Sequence, residues 1–472
     1  MGKNLVRKMF TNSDEWVAPA GVTHVKIKAV NKQINVCASA SLLGTDAEAQ
    51  SYALDYQGAM YSWGQGFDGE LGDGTDGRKS TPELVSGSHK FKQVSASGDH
   101  TLALRDDGRV LSWGGNTIGA LGDNSVAAKS TPVLVSGPAD RLFKHINAYG
   151  FDNSAAITTR GQLYTWGANG QGQLGQNNTT HRSSPVLVSL GLPTNTHFKQ
   201  ASIMNHALAI TDTGELYSWG RNVDGELGLG DTVTTSTPNL VSGVLFKHVT
   251  CGAQTASFTD SYSLGVSLNG DLYAWGSDPN GLRFGDATAG VKHSTPTLVV
   301  AGLKLKEVYA SRDDVAALTE DGSLYTWGLN TFGVLGHGDT TPRSTPILVS
   351  GFKFTQVSLA QMVREVAGGR AGHMIAARSD GQILTWGGNQ VGALGLNDIA
   401  DRSTPTVVAL PNSIIWDTNP DKGNNTSIVS VTPGVTYAVR LNGSNTHLPS
   451  FGPYALNTNP LLPTILELEY WA

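Results

Sequence analysis

The chain has 472 residues, 57 of them glycine and ten tryptophan, with only 15% charged and a formal net charge of −6. That balance suits many short strands joined by tight turns better than a helical or disordered chain. An acidic chain with no run of Lys or Arg lacks the footprint of a phosphate-backbone binder, so no nucleic acid is expected as a partner. No stretch approaches the roughly 18 apolar residues of a membrane span, so no membrane insertion is expected. Cys37 and Cys251 stand far apart at no ligand spacing and read as buried thiols, with no metal site implied. The first eight residues carry charge with no apolar stretch behind them, which points to synthesis in a cytosol, with retention there or release by lysis.

Residues 1–32 form the first predicted unit, an N-terminal β segment for attachment or ring closure. Residues 10 to 30 read as a strand, a Pro19-Ala20-Gly21 turn and an alternating strand. The pattern of an aromatic, a tryptophan, Pro-Ala-Gly-Val-Thr and alternating valines resembles the opening of tailed-bacteriophage tail and fibre proteins. On that resemblance Phe10, Trp16, Val25 and Ile27 are the attachment candidates.

From residue 33 onward one pattern repeats. Trp-Gly recurs at Trp63, Trp113, Trp166, Trp219, Trp275, Trp327 and Trp386. Six residues past each tryptophan stands a glycine, and shortly after it a large apolar residue precedes another, as in Leu71-Gly72 and Leu174-Gly175. Nineteen residues past comes proline, at Pro82, Pro132, Pro185, Pro238, Pro346 and Pro405, with Pro296 displaced. Apolar runs between these landmarks give four strands per pass: Gln93–Ala96, Thr101–Leu104, a third entering Trp113, and an outer one begun by Pro132. A four-stranded sheet repeated radially is a propeller blade. The predicted fold is therefore all-β, a propeller over residues 33–472. Seven blades are preferred, with the chain ends pairing into a closing sheet; an eighth stays open because residues 412–472 read as a degenerate last repeat with Phe451 in the tryptophan place.

The unit Gly161 to Gly175, Gly-Gln-Leu-Tyr-Thr-Trp-Gly-Ala-Asn-Gly-Gln-Gly-Gln-Leu-Gly, resembles the repeat of the regulator-of-chromosome-condensation family. The resemblance implies the propeller fold but not one activity, since such repeats serve exchange factors for small GTPases, ubiquitin ligase domains and secreted inhibitors.

Comparing the copies in phase disposes of most candidate chemistry. Gly64-Gln65-Gly66-Phe67-Asp68-Gly69 matches a dinucleotide fingerprint, but Asn116, Asn169, Asn222, Asn330 and Asn389 replace Gly66 elsewhere, which suggests a shared left-handed turn. His100, His206 and His373 recur in phase, as do His145 and His248, so they read as architecture. Basic residues before the Ser/Thr-Pro pair, such as Lys79, Arg343 and Arg402, read as loop anchors. No catalytic residue, cofactor or enzyme activity is expected.

A meander places the loop between strands one and two on the same face as that between three and four. The first loop is enlarged in pass one (Leu42–Gln50), pass five (Gln254–Tyr262) and pass seven (Gln361–Arg370). Leu43, Asp46, Glu48, Phe258, Tyr262, Met362, Arg364 and Arg370 are thus the partner-binding candidates. The functional expectation is a non-enzymatic structural and binding protein of a tailed-phage virion. It would be made in the host cytoplasm, present in multiple copies, and would contact virion proteins or a host surface component. The alternative is a cytoplasmic regulatory propeller, an exchange factor or inhibitor that binds a host protein through one face.

Overall fold

A computed structural model describes the backbone of residues 5–10, 14–17, 24–30, 35–41, 48–55, 58–137, 141–150, 152–252, 260–360, 372–379, 381–410, 426–430, 436–439 and 465–471. Side chains are described between residues 35 and 410, apart from 40–48 and 149 within those stretches. Seven four-stranded antiparallel sheets follow one another along the chain, each with its strands in sequence order. Blade 1 comprises Asn35–Ser41, Glu48–Leu54, Met60–Gly64 and Lys79–Leu84, and blade 2 Phe91–Ala96, His100–Arg105, Val110–Gly114 and Lys129–Leu134. Blades 3 to 7 run the same way from Phe143, Phe198, Phe246, Leu305 and Phe354. This is a seven-bladed propeller.

In six blades the outer strand begins three residues before the proline, not at it, as Lys129–Leu134 shows, and in blade 5 it begins five before, at Val291. The reason lies in the register: the third strand pairs Ser112 with Val133 and then Gly114 with Lys129, a bulge that skips Pro132. The missing N–H therefore falls outside the ladder, on an edge strand.

The second and third strands of each blade are buried on both faces, which is why they read as apolar runs without alternation. Their core lies between blades: Ala155, Ile157 and Leu163 of blade 3 pack with Phe198, Tyr217 and Trp219 of blade 4. All seven repeat tryptophans are fully buried, which stabilises each interface by on the order of 4–6 kcal/mol. Each indole N–H also donates to a carbonyl of the preceding blade, from Trp113 to Glu70 at 2.6 Å through Trp386 to Val334 at 2.8 Å. The Leu-Gly glycine makes room for that ring. A Cβ on Gly72, whose φ is +68, would lie 2.6 Å from Trp113 Nε1.

The ring closes by the same chemistry. Trp63 Nε1 donates to the Ala393 carbonyl at 2.8 Å, and Ser51 Oγ meets His373 Nε2 at 2.8 Å. The innermost strands present open edges, and carboxamides cover them. Gln93 clamps the N–H and C=O of Ile146, Gln200 those of Val249, and Gln356 those of Val36, which joins blade 7 to blade 1. Each clamp imitates one ladder pair of a sheet.

Contacts divide the chain into two compact units, residues 35–379 with 383–409, and residues 1–34 with 380–382 and 410–472. In the second unit Leu5–Phe10, Ile465–Trp471, His24–Val30 and Thr426–Ser430 form one sheet, and Asp14–Val17 pairs with Thr436–Val439. The chain ends thus pair with each other, while every blade sheet draws on one contiguous stretch. Backbone partners are Leu466 for Phe10, Tyr437 for Trp16, Val429 for Val25, and both Ser427 and Leu468 for Ile27.

Candidate protein-binding face

The Trp-Gly loops, between strands three and four, are built alike. Asn169 Nδ2 donates to the carbonyls of Asn178 and Thr180 while its Oδ1 accepts the Leu174 N–H. Asn116, Asn222 and Asn330 do the same in their blades, while Asn389 Nδ2 donates to the carbonyl and the carboxylate of Asp398 and its Oδ1 accepts the Leu394 N–H. Of the five only Asn330 has a left-handed backbone, so the recurring asparagine is chosen for its carboxamide and not for the turn conformation expected above. The cations before Ser/Thr-Pro hold the same loops: Arg343 pairs with Asp339 at 2.8 Å, and Lys79 with Asp73 at 3.4 Å. The recurring histidines bind across interfaces, His100 Nε2 to Ser154 Oγ and His206 Nε2 to Ser263 Oγ, both at 2.8 Å.

Blades 4 to 6 break this uniformity. At two, five and seven residues past its tryptophan, blade 4 carries Arg221, Asp224 and Glu226, all buried. Arg221 Nη1 donates to Asp224 Oδ2 at 2.8 Å, to Glu226 Oε1, and to Ser261 Oγ of blade 5 at 3.2 Å. Lys292, from the outer strand of blade 5 and largely exposed, reaches Asp224 Oδ1 at 2.7 Å. Blade 5 continues the network: Arg283 donates through Nε and Nη2 to Asp313 of blade 6 at 3.1 and 2.8 Å, and through Nη1 to the Asp260 and Ser277 carbonyls. Arg312 approaches the other Asp313 oxygen at 3.1 Å.

Burial alone would push the Asp224 carboxyl up, but Lys292, Arg221 and the Ser261 amide together hold it below the usual carboxylate range. At Glu226 burial wins over Arg221, and its carboxyl is raised. Ion pairs taken out of water seldom add net stability, so a buried set in one sector of a repeat fold is weak evidence for a folding role. Beside it Val223 and Val233 are 59% and 66% exposed on the blade 4 loop. The blade 4 loop thus combines a buried ion-pair network with two exposed valines.

Of the residues expected to bind a partner, Tyr262 needs correction. It is fully buried, donates its hydroxyl to the Ser311 carbonyl at 2.7 Å and lies under Arg283, so it supports the loop base and presents nothing to solvent. Glu48 belongs to the second strand of blade 1 and pairs with Ser41. Leu43, Asp46, Phe258, Met362, Arg364 and Arg370 lie outside the described residues. Sequence reasoning missed Arg221, Asp224, Glu226, Arg283 and Lys292. The signal was present in phase: where Arg221 stands, the other copies have Gln65, Gly115, Ala168, Ser277, Leu329 and Gly388.

The model of the RCC1-like domain matches residues 14–282, and the regulator of chromosome condensation (RCC1) repeat matches residues 321–371 and 380–436. The ultraviolet-B receptor UVR8 of Arabidopsis thaliana is 30% identical over 373 residues, covering 77% of this chain and 69% of the receptor. Human E3 ubiquitin-protein ligase HERC2 is 31% identical over half of this chain, but the match spans 5% of that protein. Among solved structures, Prp20p of Saccharomyces cerevisiae, described with its binding to Gsp1p and histones, superposes with a TM-score of 0.63 at 22% identity, over 82% of this chain and 93% of that one. These relatives are eukaryotic, and the domain match begins inside the segment that resembled phage tail proteins. Both the virion function and the virion location expected from that segment are overturned.

Proposed function

The chain belongs to the RCC1-like domain family, and from that premise we propose that it is a non-catalytic regulatory propeller that binds a protein partner through the loop face of blades 4 to 6. The observation that carries this reading is the network of Arg221, Asp224, Glu226, Lys292, Arg283 and Asp313, built on two buried arginines, Arg221 and Arg283, that the other copies of the repeat lack. The Gsp1p and histone binding of Prp20p and the receptor role of UVR8 support control of a partner protein, in the manner of an exchange factor or an inhibitor.

Affinity capture tests it, with the full chain presented to a panel of small GTPases, in nucleotide-free and nucleotide-loaded forms, and to core histones. Val223→Asp with Val233→Asp should reduce capture at least tenfold without moving the unfolding midpoint. Leu268→Asp, on the hairpin of the opposite face and 50% exposed, should leave capture unchanged. The reverse pattern would sink the assignment of the face.

A further inference from the structure

The position that opens the second strand varies around the ring: histidine in three blades, Gln50, Asn153 and Tyr262 in blades 1, 3 and 5, and a carboxylic acid in blade 6. At the start of the second strand, blades 2, 4 and 7 carry His100, His206 and His373, each bonded to a serine of the next blade. Blade 6 carries Asp314 at that position, and the serine's place in blade 7 is taken by Met374, which offers no polar group. Asp314 is buried. Its Oδ1 accepts the Asn330 N–H at 2.8 Å, while its Oδ2 is buried with no hydrogen-bond partner. A Cβ on Gly328 would lie 2.6 Å from Oδ1, so the backbone encloses the carboxyl on that side.

The residue that Asp314 holds opens a strained turn. Asn330 has φ 59, and Phe332, within the 3-10 turn Thr331–Gly333, has φ 63. A left-handed aromatic residue persists only where its surroundings enforce it. This turn belongs to the blade 6 loop on the partner-binding face.

We propose that Asp314 is a proton-controlled latch for that loop. With a proton on Oδ2 the carboxyl stays buried and pins the turn through Asn330; loss of the proton to solvent leaves a carboxylate that the turn must open to hydrate, which changes the surface that carries Phe332. The direction follows from the surroundings. Burial pushes the carboxyl up to about 7, the Asn330 amide opposes the rise, and the neighbouring Asp313 adds to it. Among the described residues Asp313 is the charged group that acts on it, itself tied to Arg283 and Arg312. Because the folded value is raised, the closed turn is favoured at low pH and loses that advantage as pH rises through about 7.

The latch bears on the partner-binding reading only through its consequence, and it is tested without any partner. Hydrogen exchange of the 329–336 backbone, corrected for intrinsic rates, should lose about tenfold in protection between pH 6 and pH 8. Asp314→Asn keeps the acceptor but never ionises, and should stay protected throughout. Phe332→Gly relieves the left-handed strain and should move the wild-type midpoint to higher pH. A flat wild-type profile, an Asp314→Asn profile that follows the wild type, or an unmoved midpoint in Phe332→Gly would each overturn the latch. Loss of partner capture with the exchange profile intact would fault the partner-binding reading alone.

Discussion

Each repeat tryptophan does two things at once: it fills the space between blades and ties its N–H to the neighbour's loop. Trp219→Phe keeps much of the first and removes the second, leaving the buried Gln173 carbonyl without its donor. The cost should be about 1–3 kcal/mol, read as a lowered urea midpoint at unchanged slope. His206 illustrates the residue scale in pH. Burial, with help from Arg221, depresses its pKa to about 3, so the folded chain keeps the ring neutral while the unfolded chain protonates near pH 6.5. The stability is complete above about pH 6.5 and falls as pH drops toward 3, by about 1.4 kcal/mol per unit. Subtracting the pH–stability curve of His206→Gln from that of the wild type should isolate this slope. Parallel curves would mean that the ring does not resist protonation.

At the scale of one blade, the loop of blade 4 shows how stability and function separate. Arg221→Met alone leaves the buried Glu226 without its cation and Asp224 with Lys292 as its remaining one, and should cost about 3–5 kcal/mol. Replacing all three with Arg221→Met, Asp224→Leu and Glu226→Leu should restore the melting temperature nearly to wild type while partner capture stays lost. Calorimetry of the two variants, set beside capture, checks both halves. The sequence shows such a blade well in some respects and poorly in others. Trp, Gly and Pro at fixed spacing reveal the strands and the loop because each answers a local steric need. The clamp of Gln93 on Ile146 and the reach of Arg221 to Ser261 are invisible there, because both partners belong to different blades. Tyr262 misled for a related reason: an aromatic at the end of a long loop reads as exposed until the neighbouring blade covers it.

At the scale of the molecule, the bonds that close the ring repeat those inside it, from Trp63 to Ala393 and from Gln356 to Val36. His373→Ala at the closing interface should therefore lower stability about as much as His100→Ala within the ring, by about 1–3 kcal/mol, in a single unfolding transition. The fold was legible because seven copies carry the same message. The attachment to a phage tail was not, because alternating strands beside a tryptophan serve many β-proteins; here Asp14–Val17 and His24–Val30 pair with C-terminal strands and not with each other. Engagement of a protein by the loop face of blades 4 to 6 is tested by hydrogen-exchange mapping of the complex with whichever small GTPase or histone the chain retains. Protection should appear in residues 221–236 and 277–293 and be absent from the 267–271 hairpin. Protection confined to that hairpin and its equivalents on the opposite face would contradict the account.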